Sequence, residues 1–320
     1  PVAGRRLGIV SGPARSFEET SGFERQGTVY PEWDVHRRRY RPDWCTVIED
    51  DPPPGAVIAA APLAQDLALR RAVARLGVGL INLRRQRQGD DIDIDAAVEA
   101  HVDLAAGSPH DDDFYVGTLR RRRDLSVLVL LDVSGSATEP GTAGRTVHEH
   151  QRATAAALTA TLHHLGDRVA LYAFNSRGRQ AVHVMRVKAF DDRLDGAAAR
   201  RLAALTPGAY TRLGAAIRHG TSILEDRAGT PRRLLLVLSD GFAYDHGYEG
   251  SYAEGDARRA LVEARRRGIG CVCLSVGADV EPTALQRVFG TAAHATVPHA
   301  DQLPTLIGPL FRREVERRTA

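Results

Sequence analysis

The chain has 320 residues, 43% apolar and 26% charged, with 43 basic side chains against 40 acidic ones. That is enough for one large domain with an extension, or two modest domains, of ordinary globular composition. A formal net charge of only +3 makes no case for nucleic acid, and no apolar run approaches the roughly 18 residues of a membrane span, so neither partner is expected.

The chain starts at Pro1 without a signal-peptide pattern, and its three cysteines form no CxxC pair. A fragment of a longer cytoplasmic protein, with reduced and buried thiols, is therefore expected. Lys188 is the only lysine, and the arginine runs at 37–39, 120–123 and 265–267 read as solvated faces. Residues 1–24 show no periodicity and are expected to be mobile. Residues 30–50 hold Trp33 and Trp44 with Tyr30 and Tyr40 among prolines. They read as an extended arm packed on the globular domain, with both tryptophans largely buried. Three prolines after Asp51 then break the chain.

A helical rhythm follows over 63–80. Asp91, Asp93 and Asp95 alternate as in a calcium loop, but Ala96 stands where glycine is needed and Val102 where glutamate is needed. The better prediction is a short helix capped by Asp95, with Val98 and Val102 turned inward. Residues 107–117 read as a polar connector. The domain boundary is expected between 118 and 119, separating an N-terminal extension (1–118) from the main domain (119–320).

Beyond it strands and helices alternate. Strands are predicted at 126–131, 167–174, 182–188, 233–239 and 270–275. Helices are predicted at 148–165, 195–204, 212–225, 256–267, 282–289 and 303–318. The apolar strand runs predict an α/β fold, a doubly wound, mainly parallel sheet flanked by helices. Ligands of such sheets sit at the carboxyl ends of the strands, near the topological switch.

The strand at 126–131 ends there in Asp132, with Ser134 and Ser136 following at alternate positions. A carboxylate and two hydroxyls suit a small hard cation. The spacing D-x-S-x-S resembles the metal-ion-dependent adhesion site of von Willebrand factor A (VWA) domains. Two further positions fit that resemblance: Thr211, ahead of a predicted helix, and Asp240, which follows Ser239 at the end of an apolar strand. The resemblance implies Mg²⁺ held by Asp132, Ser134, Ser136, Thr211 and Asp240, with Mn²⁺ or Ca²⁺ as substitutes. It leaves Tyr210 and Gly241 at the partner-facing rim.

Other chemistries fail on particular residues. A haloacid-dehalogenase-like phosphatase needs a second acid where Ser134 stands. A nucleophile elbow needs glycine at Asp132, and a P-loop needs a lysine after glycine, whereas Lys188 follows Val187. His148-Glu-His150 is not a zinc helix motif, and it reads as solvated surface. No catalytic set is found.

The motifs Tyr30-Pro-Glu-Trp-Asp34, Tyr40-Arg-Pro-Asp-Trp-Cys-Thr46, Gly89-Asp-Asp-Ile-Asp93, Phe174-Asn-Ser-Arg-Gly-Arg179, Lys188-Ala-Phe190, Pro207-Gly-Ala-Tyr-Thr-Arg212 and Tyr248-Glu-Gly-Ser-Tyr252 are similar to the C-terminal half of NorD/CbbO-type proteins. This resemblance implies a non-catalytic accessory protein paired with a MoxR-class AAA+ ATPase. Such a pair acts on a client enzyme, nitric oxide reductase or Rubisco. The chain is then expected to be an adaptor whose metal captures an acidic side chain. A VWA-bearing subunit of a metal chelatase, or a metal-dependent adhesion module, are the alternatives.

Overall fold

The computed structural model describes residues 27–52, 67–74, 80–89, 91–107, 113–120, 124–241, 243–277 and 281–316. The start at 1–24, most of the proline break and part of the 120–123 arginine run lie outside them. In the first part of the chain come β1 (Thr28–Asp34), β2 (Arg39–Asp50), α1 (Leu67–Ala74), β3 (Leu80–Gln86), β4 (Asp91–Ile92), α2 (Ile94–Ala105) and β5 (Tyr115–Arg120). Then follow β6 (Leu125–Asp132), α3 (Val147–His164), β7 (Arg168–Ser176), β8 (Val182–Lys188), α4 (Gly196–Ala203) and α5 (Leu213–Arg227). The remaining elements are β9 (Arg232–Ser239), α6 (Gly250–Arg266), β10 (Ile269–Val276), α7 (Pro282–Phe289), β11 (Ala293–Val297) and α8 (Leu303–Glu316).

One eight-stranded sheet, in the order β1-β2-β8-β7-β6-β9-β10-β11, carries the fold. All pairings are parallel except β1 with β2 and β7 with β8. Every residue of β6 is buried, as an apolar run covered on both faces requires. Val127, Val129 and Leu131 point to the layer of α1, α3, α4 and α8. Leu128 and Leu130 point to the layer of α5, α6 and α7. From β6 the chain builds outward to β7 and β8, then returns to the other side of β6 to lay down β9, β10 and β11. The switch therefore falls between β6 and β9, and Asp132 ends one of these strands while Asp240 follows the other.

The main-domain elements lie close to expectation, with two additions. Helix α6 begins at Gly250, ahead of the predicted start, and β11 was not foreseen. The N-terminal part differs more. The arm at 30–50 is a hairpin, β1–β2, whose second strand runs parallel to β8 and extends the sheet. The sheet thus draws its last two strands from the far side of the expected 118/119 boundary. Trp33 and Trp44 are half-buried rather than largely buried. Their faces are covered by guanidinium groups, Arg259 on Trp33 at 4.6 Å and Arg179 on Trp44 at 4.0 Å.

Of the helix expected over 63–80, residues 67–74 are helical, 63–66 and 75–79 lie outside the described residues, and Leu80 opens β3. In α2 the N-cap is Asp93, Asp95 lies in the first turn, and Val98 and Val102 are exposed at 57% and 58%. The connector expected at 107–117 runs into β5, the middle strand of a small sheet ordered β3-β5-β4. Lys188 is buried, its Nζ donating to Val169 O at 2.7 Å and Ala189 O at 3.0 Å. Cys45, Cys271 and Cys273 are free and buried, as expected.

Candidate metal centre

Three loops meet at the carboxyl end of β6. Asp132 ends the strand, and its Oδ1 accepts the Ser134 N–H at 3.0 Å, folding the chain back so that Ser134 starts a 3₁₀ turn over Gly135–Thr138. That turn sets the Ser134 and Ser136 hydroxyls 3.0 Å apart. The second loop, 207–211, is docked on the first: Gly208 N–H donates to Val133 O and Gly135 N–H to Ala209 O, both at 2.9 Å. A Cβ on residue 135 would stand 3.1 Å from Ala209 O. Close approach, rather than a turn, is therefore what position 135 requires of glycine. Ala209 itself holds φ at 63°, a conformation that L residues adopt only when their surroundings enforce it.

From this loop Thr211 Oγ1 donates to the Asp132 carboxylate, 3.2 and 3.3 Å from its two oxygens. The third loop follows β9. Ser239 Oγ donates to Asp132 Oδ2 at 2.9 Å, accepts Gly241 N–H at 3.2 Å, and lies 3.5 Å from Asp240 Oδ1. Gly241 has φ 89°, a left-handed conformation that favours glycine. The structure thus gathers Asp132, Ser134, Ser136, Thr211 and Asp240 into one cluster.

Two members of that cluster were missed by sequence reasoning. Ser239 is buried inside an apolar strand and reads as its last residue. Gln151, on α3, is fully buried, and its amide spans the two strand ends: in the orientation that satisfies both its atoms, which exchanges O and N, the nitrogen donates to Asp132 O and the oxygen accepts Asp240 N–H, each at 3.0 Å. That bridge fixes the backbones that carry the two acids. A polar residue at a helix position facing the sheet was the available signal. His148 and His150, expected at the surface, are buried, with Nε2 of each facing a backbone carbonyl: Leu205 O at 3.1 Å and Thr142 O at 2.7 Å. They brace neighbouring loops.

The electrostatics of the cluster are unbalanced. Asp132 and Asp240 are 1% and 3% exposed. Burial pushes Asp132 up to about 7, and the Asp240 charge adds to the rise, against hydrogen bonds from Ser134 and Ser239 that lower it. Two carboxylates with three hydroxyls form an all-oxygen donor set with excess negative charge, which fits a hard divalent cation. Among the described residues, no group of three or more His, Cys, Asp or Glu side chains gathers to hold a metal, and this cluster has only two such side chains beside its hydroxyls. The rim is aromatic. The half-buried Tyr210 has its ring 5.7 Å from that of Tyr244 and 4.8 Å from that of His246, and Tyr244 is 49% exposed. No helix among the described residues is long and apolar enough to cross a membrane.

The von Willebrand factor type A domain family matches residues 127–242. Protein NorD of Brucella suis is 37% identical over 291 residues, covering 89% of this chain and 45% of that protein. Protein NorD of Stutzerimonas stutzeri is 31% identical over 301 residues, covering 91% of this chain and 47% of that protein. The chain therefore spans about half the length of the curated relatives it matches. A solved structure of mussel byssus proximal thread matrix protein 1, described with a zinc-occupied MIDAS motif, aligns with a TM-score of 0.40 and 14% identity, over 59% of this chain and 45% of that one.

Proposed function

Because residues 127–242 are a von Willebrand factor type A domain, within a chain similar to NorD proteins over most of its length, we propose that this protein is a non-catalytic adaptor. It binds an acidic side chain of a partner at a metal held by Asp132, Ser134, Ser136, Thr211 and Asp240. The observation that carries this reading is the pair of buried, mutually repelling carboxylates, Asp132 and Asp240, with the Thr211 and Ser239 hydroxyls and the Ser134 N–H donating to Asp132. When bound, Mg²⁺ supplies a Lewis-acidic position whose water a partner carboxylate can replace.

The chain's own residues divide the work. Asp132 and Asp240 supply charge, and Ser134, Ser136 and Thr211 supply neutral oxygens that leave the cation only partly compensated. Gln151 and Ser239 hold the acids in place. Tyr210, Tyr244 and His246, with Gly241, give the partner a surface beside the carboxylate position. By similarity to NorD, the partners are a MoxR-type AAA+ ATPase and a client enzyme that the pair activates or remodels in the cytoplasm.

The test is calorimetric titration of Mg²⁺ into the wild-type chain and Asp132→Ala, with circular dichroism as the check on folding. One site in the wild type and none in a folded variant are expected. EDTA should weaken capture of the ATPase or client in a pull-down to the same degree as the substitution. Equal Mg²⁺ affinity in both proteins would overturn the assignment.

A further inference from the structure

Arg212 follows Thr211 directly, yet its side chain turns away from the centre and is the largest fully buried side chain among the described residues. Its guanidinium joins two separate segments, β1 and the loop that follows β9. Nη1 donates to Glu32 Oε2 on β1, Nε to Asp245 Oδ2 at 3.1 Å, and Nη2 to His246 O at 2.9 Å. Burial works against that charge, and Glu32 restores it. The group also lies 4.7 Å from the centre of the Tyr248 ring.

Glu32, itself fully buried, has no slack. Its Oε1 accepts from Tyr252 OH at 2.7 Å, and its Oε2 accepts from Cys45 Sγ at 3.1 Å as well as from Arg212. The next residue of β1 acts in parallel. Trp33 N–H donates to Asp256 Oδ1 at 2.8 Å, and Asp256 Oδ2 accepts from Tyr248 OH at 3.0 Å. That hydroxyl in turn accepts Gly214 N–H, at the start of α5, at 3.1 Å. The loop after β9 is joined to the same assembly, because Thr211 N–H donates to Tyr244 O at 2.7 Å.

Arg212 and Gly214, which follow Thr211, and the segment that follows Asp240 are therefore tied to two consecutive residues of the N-terminal hairpin. We propose that Glu32 is a positioning residue of the metal centre. Through Arg212 it fixes where the Thr211 hydroxyl stands, so that metal affinity depends on a strand remote in sequence from every ligand. The inference rests on the metal reading above. Partners that orient a ligand in this way typically contribute about 10- to 100-fold in metal affinity when they are removed.

The experiment compares Mg²⁺ titration of the wild-type chain, Glu32→Gln and Leu285→Ala, a core truncation beneath α7. It adds amide hydrogen exchange on the metal-free proteins. Glu32→Gln should bind Mg²⁺ about 10- to 100-fold more weakly. Exchange at Thr211 and Tyr248 should rise at least about tenfold, with Val129 and Val272 of the central strands unchanged. Leu285→Ala should lower stability and leave the affinity as it was.

If Glu32→Gln does not fold, Tyr252→Phe removes only a hydroxyl that holds Glu32 and should show the same local pattern at smaller size. Wild-type affinity in the folded Glu32 or Tyr252 variant overturns the inference while leaving the metal site standing. So does exchange that rises across the whole sheet, or an equal loss of affinity in Leu285→Ala. A wild-type chain that takes up no Mg²⁺ overturns both readings.

Discussion

Gly214→Ala sets two effects of opposite sign against each other. Gly214 is the second residue of α5, where alanine gains about 1 kcal/mol of helix propensity over glycine. A Cβ at this position, however, would lie 1.9 Å from Asp256 Oδ2, 2.7 Å from its Cγ and 3.1 Å from the Tyr248 hydroxyl. Asp256 is fully buried and already accepts from Arg218 Nη2 and Trp33 N, each at 2.8 Å. It can move aside only by giving up one of these. Overpacking costs about 1–3 kcal/mol, and detaching a buried carboxylate from its cation costs about 3–5 kcal/mol. Where the cation contact is given up, the helix gain still leaves a loss of about 2–4 kcal/mol. Urea denaturation followed by circular dichroism should show a lower midpoint at unchanged slope. Gly196→Ala is the control, since the nearest atom to its Cβ is the flexible end of Arg200 at 3.4 Å; it should be neutral or gain up to about 1 kcal/mol. A Gly214→Ala chain as stable as the wild type would refute the packing argument.

Two further outcomes follow from groups away from the metal centre. Glu49 is held at about 2 by His219, 3.7 Å away, against desolvation, and by Arg227, which donates to both its oxygens. Its folded value lies below the usual 4.5. The stability it contributes is therefore complete above about 4.5 and lost as the pH falls toward about 2. Glu49→Gln should lower stability at pH 7 by about 1–2 kcal/mol and flatten the acid limb of a stability-against-pH curve. Burial also raises all three thiols, Cys271 to about 12 and the other two in the same direction. Cys45, Cys271 and Cys273 should be silent to a thiol reagent in the native chain and should all react in denaturant.

The sheet and the clustering of the five candidate positions were legible because both announce themselves locally. An unbroken apolar run such as 127–131 has few structures open to it, and an acid and two hydroxyls at alternate positions after it are conspicuous. The hairpin was not legible, for a physical reason. Pro31 reads as a strand breaker, but it sits on an edge strand where the pairing register shifts between Tyr30 and Glu32, so no ladder hydrogen bond is lost there. The inward residues of β1 are Glu32 and Asp34, the reverse of the pattern that marks a core. Val98 and Val102 misled in the opposite sense, since helical spacing says nothing about whether a partner layer exists. Gln151 and Ser239 act through atoms that meet only after the fold is complete. His148 and His150 are buried because distant carbonyls accept from them.

Pairing the hairpin so far from its own place in the sequence has a consequence for synthesis. Asp50 lies opposite Met185, and Glu32 reaches Arg212 across 180 residues of chain. At about 5–20 residues per second, Arg212 is made roughly 9–36 s after Glu32. The hairpin must wait that long with its outer edges open. Its charged inward residues and the bulge at Tyr30 make it a poor template for stray strands in the meantime. Glu32, the buried acid that later clamps the loops of the candidate site, would thus also protect the nascent chain from mispairing.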